Sequence, residues 1–113
     1  MANTFKNYTT RSIGTTLTAV CTAASVTSTV IGMTICNTST ATVKVSIAVN
    51  DGNTTYMLGS ASPGTNGTSI AAGDSLVAIG GDQKLVLENT NSLQVLSDTA
   101  ASLDVIVSVL EIS

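Results

Sequence analysis

The segment Val43-Lys44-Val45-Ser46-Ile47-Ala48-Val49-Asn50 constrains the fold more than any other part of this chain. Its strict alternation places Val43, Val45, Ile47 and Val49 on one face of an extended strand. The residues Asn50-Asp51-Gly52-Asn53 follow, and then a second run, Thr54–Leu58. An Asp-Gly pair between two such runs signals a hairpin, because the tightest hairpin turns need positive φ at their central positions. The same grammar recurs along the chain. Runs at 15–22, Thr27–Asn37, Ser75–Ile79, 84–88, 93–97 and Leu103–Ile112 are separated by Gly80-Gly81-Asp82, Asn89-Thr90-Asn91-Ser92 and Ser97-Asp98-Thr99-Ala100. Residues 59–68, which hold the only proline, read as an irregular loop. No stretch carries a helical period. The chain is therefore predicted to be all-β: a single small antiparallel β-sandwich or jelly roll of about seven or eight strands. Residues 1–14 form an extended N-terminal arm or edge strand, and 15–113 form the sandwich.

The 113 residues include no histidine and no tryptophan, and four basic residues stand against seven acidic ones. Histidine is the commonest proton carrier near neutral pH and the commonest metal ligand. Its absence removes Ser–His and Cys–His pairs and the usual catalytic zinc sites. Lys6, Arg11, Lys44 and Lys84 are too few and too scattered to track phosphates, so no nucleic-acid partner is expected. Polarity is carried by Thr, Ser and Asn instead. A Thr-rich coat over a Val/Ile core suits sheet, and so weak a charge leaves the surface open to association. No apolar run reaches the ~20 residues that span a bilayer, and the opening Met1-Ala2-Asn3-Thr4-Phe5-Lys6 has no secretory apolar region. Neither a membrane nor a cofactor is expected as a partner, and synthesis is expected in a cytoplasm.

Two letter patterns suggest chemistry that the chain does not support. Gly73-Asp74-Ser75-Leu76 has the letters of an esterase nucleophile motif, but no histidine exists to take the serine proton. It reads as a turn feeding a strand, and the chain as a non-enzyme. Asn50-Asp51-Gly52-Asn53 lacks the spaced carboxylates of a calcium loop. Asp51, Asp74, Asp82, Asp98 and Asp104 fall at turns or strand starts, where Asp side chains cap backbone N–H groups. A hairpin turning at Ala23-Ala24-Ser25-Val26 would set Cys21 opposite a residue near Thr29, away from Cys36. Both cysteines then read as buried free thiols; a single cross-link is the alternative.

Two features point to association. Residues 1–50 carry Lys6, Arg11 and Lys44 with no acid, whereas 51–113 carry Lys84 and all seven acids. Identical copies of such a chain could meet basic segment to acidic segment. The final run is also apolar on both sides: Val105, Val107 and Val109 on one, Ile106, Leu110 and Ile112 on the other. A sandwich buries only one face of each sheet, so the second face needs a cover, either the arm or another subunit. The candidate interface is Phe5, Tyr8, Arg11, Ile106, Leu110 and Ile112, with a homo-oligomer, a trimer or another ring, as the expected state.

Four segments also carry a family resemblance. They are Thr4-Phe5-Lys6-Asn7-Tyr8-Thr9, Val30-Ile31-Gly32-Met33-Thr34, the stretch from Gly73-Asp74-Ser75-Leu76 through Val86-Leu87-Glu88, and the last run from Leu103 to Ile112. Together they resemble small virion structural proteins of tailed bacteriophages, especially marine and cyanobacterial phages. The loop 59–68 lies outside that pattern. The resemblance implies a β-rich accessory component of the virion at the head, neck or tail, with other virion proteins (major capsid, neck or tail) as partners. It brings no catalytic residues. A receptor- or glycan-binding module of a fibre or surface structure is the alternative.

Overall fold

The computed structural model describes residues 3–80 and 84–112. Among them are ten strands and one short helix. In chain order these are β1 (Asn3–Ile13), β2 (Thr18–Thr22), β3 (Thr27–Asn37), β4 (Val43–Asn50) and β5 (Thr54–Leu58), then α1 (Pro63–Asn66). β6 (Thr68–Ile70), β7 (Ser75–Ile79), β8 (Leu85–Leu87), β9 (Ser92–Ser97) and β10 (Leu103–Ile112) complete the fold. No described helix is long and apolar enough to cross a membrane.

The strands form two antiparallel sheets. Sheet A runs β1-β10-β3-β7, with β8 also on β3; sheet B runs β2-β9-β4-β5, with β6 also on β4. The pairing is nested: β1 with β10, β2 with β9, β3 with β7 and β8, β4 with β5 and β6. The chain is thus one long hairpin, folded back at β4–β5 and rolled into two layers. β10–β3 and β9–β4 stitch the roll shut. This connectivity is that of a jelly roll.

Alternation decides which residues fill the space between the sheets. Val30, Met33, Ile35, Val105, Val107 and Val109 from sheet A face Val43, Val45, Ile47, Leu93 and Val95 from sheet B, and all are buried. The outer side of sheet B is partly covered. Ser46 and Ala48 are fully buried there, and residues 59–67 fold back onto β4 at Lys44 and Ser46. Ser60 N donates to Ser46 Oγ at 3.1 Å, and Lys44 Nζ donates to Gly64 O at 3.2 Å.

The first predicted hairpin does not exist. β2 and β3 belong to different sheets, and the chain at Ala23–Val26 crosses between layers instead of turning within one. Cys21 lies opposite Leu93, and Cys36 lies between Asp104 and Ser75. Both thiols are free; Cys21 is buried, but Cys36 is only half-buried because it faces outward. Period two is common to both sheets, so it cannot say which neighbour a strand takes.

The β4–β5 hairpin is present. Its loop has three residues, Asp51-Gly52-Asn53, between the paired Asn50 and Thr54, and only Gly52 has positive φ, at 105°. The first half-turn is closed by Gly52 N donating to Asn50 Oδ1 at 2.9 Å. The Gly73-Asp74-Ser75 motif is a turn closed by Asp74 N donating to Ala71 O at 2.9 Å. Of the turn carboxylates, Asp51, Asp74, Asp98 and Asp104 each accept a backbone N–H. Asp82, with Gly81 of the same expected turn, lies outside the described residues.

The loop over sheet B depends on two glycines, Gly59, whose φ is 73°, and Gly67. A Cβ at Gly67 would stand 2.6 Å from Pro63 O and 2.9 Å from Val45 O, both backbone atoms that cannot swing aside. At Gly64 the nearest atom would be 3.9 Å away. Gly67→Ala is therefore expected to lower unfolding free energy by at least ~2 kcal/mol, and Gly64→Ala to stay within ~0.5 kcal/mol of wild type. Paired urea melts check both values.

Candidate functional site

β10 is the strand on which the candidate residues converge. Its inward row, Leu103, Val105, Val107 and Val109, is spent on the core. Its outward row is Asp104, Ile106, Ser108, Leu110 and Ile112, with Ile106 52% exposed. The N-terminal segment does not cover this row. β1 lies beside β10 in the same sheet, from Asn3 opposite Ile112 to Thr10 opposite Val105. An arm folded over the face is thereby excluded, and β1 widens the face instead.

Register places the outward residues in rows across sheet A. One row is Phe5, Leu110, Thr29 and Val86; another is Thr9, Ile106, Thr34 and Val77. Phe5, Val86 and Val77 are 74%, 55% and 66% exposed. The row between them is Asn7, Ser108 and Gly32, where β3 is irregular and Ile31 is the extra residue. Without a side chain at Gly32, the middle row sinks. A cavity of about 300 Å³ opens there, lined by Phe5, Lys6, Asn7, Ile31, Ser108 and Val109. Ser108 Oγ donates to Asn7 Oδ1 at 2.9 Å across it. The three rows carry no charged side chain and set apolar residues among Thr, Asn and Ser; Asp104 stands at the end of the outward row of β10.

Of the six predicted interface residues, Phe5, Ile106, Leu110 and Ile112 share this face. Arg11 is exposed on β1 where its register with β10 shifts. Tyr8 points to the other side. Its hydroxyl donates to Glu111 Oε2, while Lys6 Nζ stands 3.5 Å from Glu111 Oε1. Both residues of β1 are thus tied to one carboxylate that is 9% exposed at the end of the core. Ser28, the cross-strand neighbour of Glu111 on β3, is buried, and its Oγ has no hydrogen-bond partner among the described residues. The hydrogen bond to Glu111, reinforced by burial, pushes the Tyr8 phenol up to about 12. Burial, aided by the Glu111 carboxylate, pushes the Cys21 thiol up to about 11.

Of the basic residues in the first half, Lys6 meets an acid of the second half, Glu111. Asp104 and Asp98 accept from the backbone N–H groups of Ser12 and Lys44. Sequence reasoning missed Ile31, Val77, Val86 and Glu111. Leu76-Val77-Ala78-Ile79 and Leu85-Val86-Leu87 are apolar at every position, the same two-faced signal that singled out β10. Nothing local marks Glu111 as the partner of Tyr8. No protein-family model matches this chain, and no curated protein is recognisably similar to it.

Both raised groups are acids whose neutral form the fold favours, so their contribution is full at low pH and lost on the alkaline side. Stability is expected to hold to about pH 9 and to fall as Cys21 titrates between 9 and about 11 and Tyr8 between 10 and about 12. Tyr8→Phe should cost about 1–2 kcal/mol at neutral pH and abolish the later part of that fall, as read by chemical denaturation across pH. The two thiols should also separate kinetically. Cys36 is expected to react with a thiol reagent in the native protein, and Cys21 only on unfolding.

Proposed function

We propose that this chain is a non-catalytic structural subunit of a bacteriophage virion, decorating or stabilising the head, neck or tail through protein–protein contacts. The observation that carries this reading is the set of exposed apolar side chains on the outer face of sheet A. Phe5, Ile106, Val77 and Val86 lie exposed there, on a sheet whose other face fills the core. Exposed apolar patches of this kind mark contact surfaces. In a particle that repeats one subunit many times, a modest contact per copy suffices, because neighbouring contacts act together. The jelly roll is an architecture shared by capsid and lectin domains, which admits the reading by analogy of fold alone. The segment resemblance supplies the phage context.

The depression between the rows favours a second reading. Phe5 offers a ring face beside the polar groups of Asn7, Ser108 and Lys6, an arrangement suited to a sugar. Its single aromatic makes a thin platform, because Tyr8 faces the core side and Tyr56 lies in sheet B.

One binding experiment separates the two. Purified chain is titrated onto intact heads and tails of the phage that encodes it, and in parallel onto a glycan array. Saturable binding to particles is expected, weakened at least about tenfold by Ile106→Asp, a substitution at a half-exposed position that spares the core. Equal binding by Ile106→Asp, or binding to glycans and not to particles, would overturn the structural reading.

A further inference from the structure

The two sheets have four open edges, and three of them are blunted. β2 is five residues long and its register shifts between Ala19 and Cys21. The β5–β6 edge is interrupted by α1 and its loop. The β7–β8 edge is split into strands of five and three residues. Short, irregular and broken edges are how sheets avoid pairing with other chains. β1 is the exception. Eight consecutive residues, Asn3 to Thr10, hold an unbroken register with β10, leaving about 26 Å of regular edge on the other side. Thr4, Phe5, Lys6 and Asn7 are exposed.

The side chains on this edge remove the remaining obstacle. A lysine is the usual guard of an open strand, but Lys6 is held 3.5 Å from Glu111 of its own chain. Arg11 lies beyond the regular stretch. What is left is Asn3, Thr4, Phe5, Asn7, Tyr8, Thr9 and Thr10, neutral residues whose cross-strand pairs with one another are favourable or neutral. A strand of this kind is complementary to itself when run antiparallel.

We propose that β1 pairs antiparallel with β1 of a second copy about a two-fold axis, fusing the two A sheets into one continuous sheet. The contact is isologous and closes at two subunits. It uses main-chain groups at the edge and leaves the outer face of each sheet A free, so it stands whether or not that face binds a virion protein.

Amide hydrogen exchange and sedimentation test the idea together. At about 100 µM, in the range where a small interface is populated, wild type is expected to sediment as a dimer. Alternate amides within residues 3–10 should gain protection as concentration rises, the pattern of an added strand. Asn7→Lys combined with Thr9→Lys, both at exposed positions, places like charges across the two-fold axis and should weaken the dimer at least about tenfold. Ile106→Asp, on the same face but away from the edge, should leave it intact even where particle binding is lost. A monomeric wild type, a dimer unaffected by the double substitution, or a dimer dissolved by Ile106→Asp would each overturn the proposal.

Discussion

The last strand of the chain sits in the middle of its sheet, and the rest of the architecture depends on that placement. β10 receives β1 on one side and β3 on the other. Until it docks, β1 has no neighbour and the inward row of sheet A lacks Val105, Val107 and Val109. The first described residue, Asn3, is opposite Ile112, so this contact closes nearly the whole chain into a loop. Pairings of such sequence separation are formed late and slowly, since the loop entropy is spent before the contacts return anything. The Glu111 carboxylate marks the same junction. It binds Tyr8 and Lys6 from β1 and sits beside Ser28 of β3, so three strands meet at one buried-end group.

The weak charge of the chain has a structural use at the crossings between sheets. Asn37 is fully buried at the end of β3, and every side-chain polar atom it has is engaged. Its Nδ2 donates to Ala41 O and Ile70 O at 2.8 Å each, and its Oδ1 accepts from Ser39 N and Ser39 Oγ at 2.9 and 2.7 Å. Ser97 and Ser102 share a buried hydroxyl contact of 2.7 Å at the β9–β10 crossing. A neutral amide or hydroxyl can be satisfied in such a place by backbone groups alone, whereas a buried charge needs a charged partner. The Ser, Thr and Asn content is therefore partly an internal scaffold for loops and partly a coat.

Strand positions were legible because each run announces itself locally, through alternation, β-branched residues and Gly or Asp punctuation. β3, β4, β5, β7 and β10 fall where the pattern put them. Sheet membership was not legible. The stretch Ala23–Val26 looks like a hairpin turn because turn-like composition also suits a crossing between layers, and the choice is made by which distant strands compete for each edge. The apolar outer face was half legible. Ile106, Leu110 and Ile112 could be read from one strand, and Phe5 from its isolation, but Val77 and Val86 join them only through the register of β3. The direction in which Tyr8 points has no local signal, because its partner, Glu111, is more than a hundred residues away in sequence.

The two sheets treat their outer faces differently, and the difference follows from chain length between strands. The link between β5 and β6 is long enough to fold back, bury Pro63 and Ser46, and cover part of sheet B. Among the described residues no link around sheet A offers such cover, and β1 lies in the plane of the sheet and not across it. Apolar residues that a second layer would normally hide thus stay at the surface: Phe5, Ile106, Val77 and Val86. A fold that can cover one face with its own loop and leaves the other bare has divided its surfaces into a finished side and an unfinished one. The cost of keeping the bare side in water would be offset by an apolar cover, which gives the proposed association a physical direction.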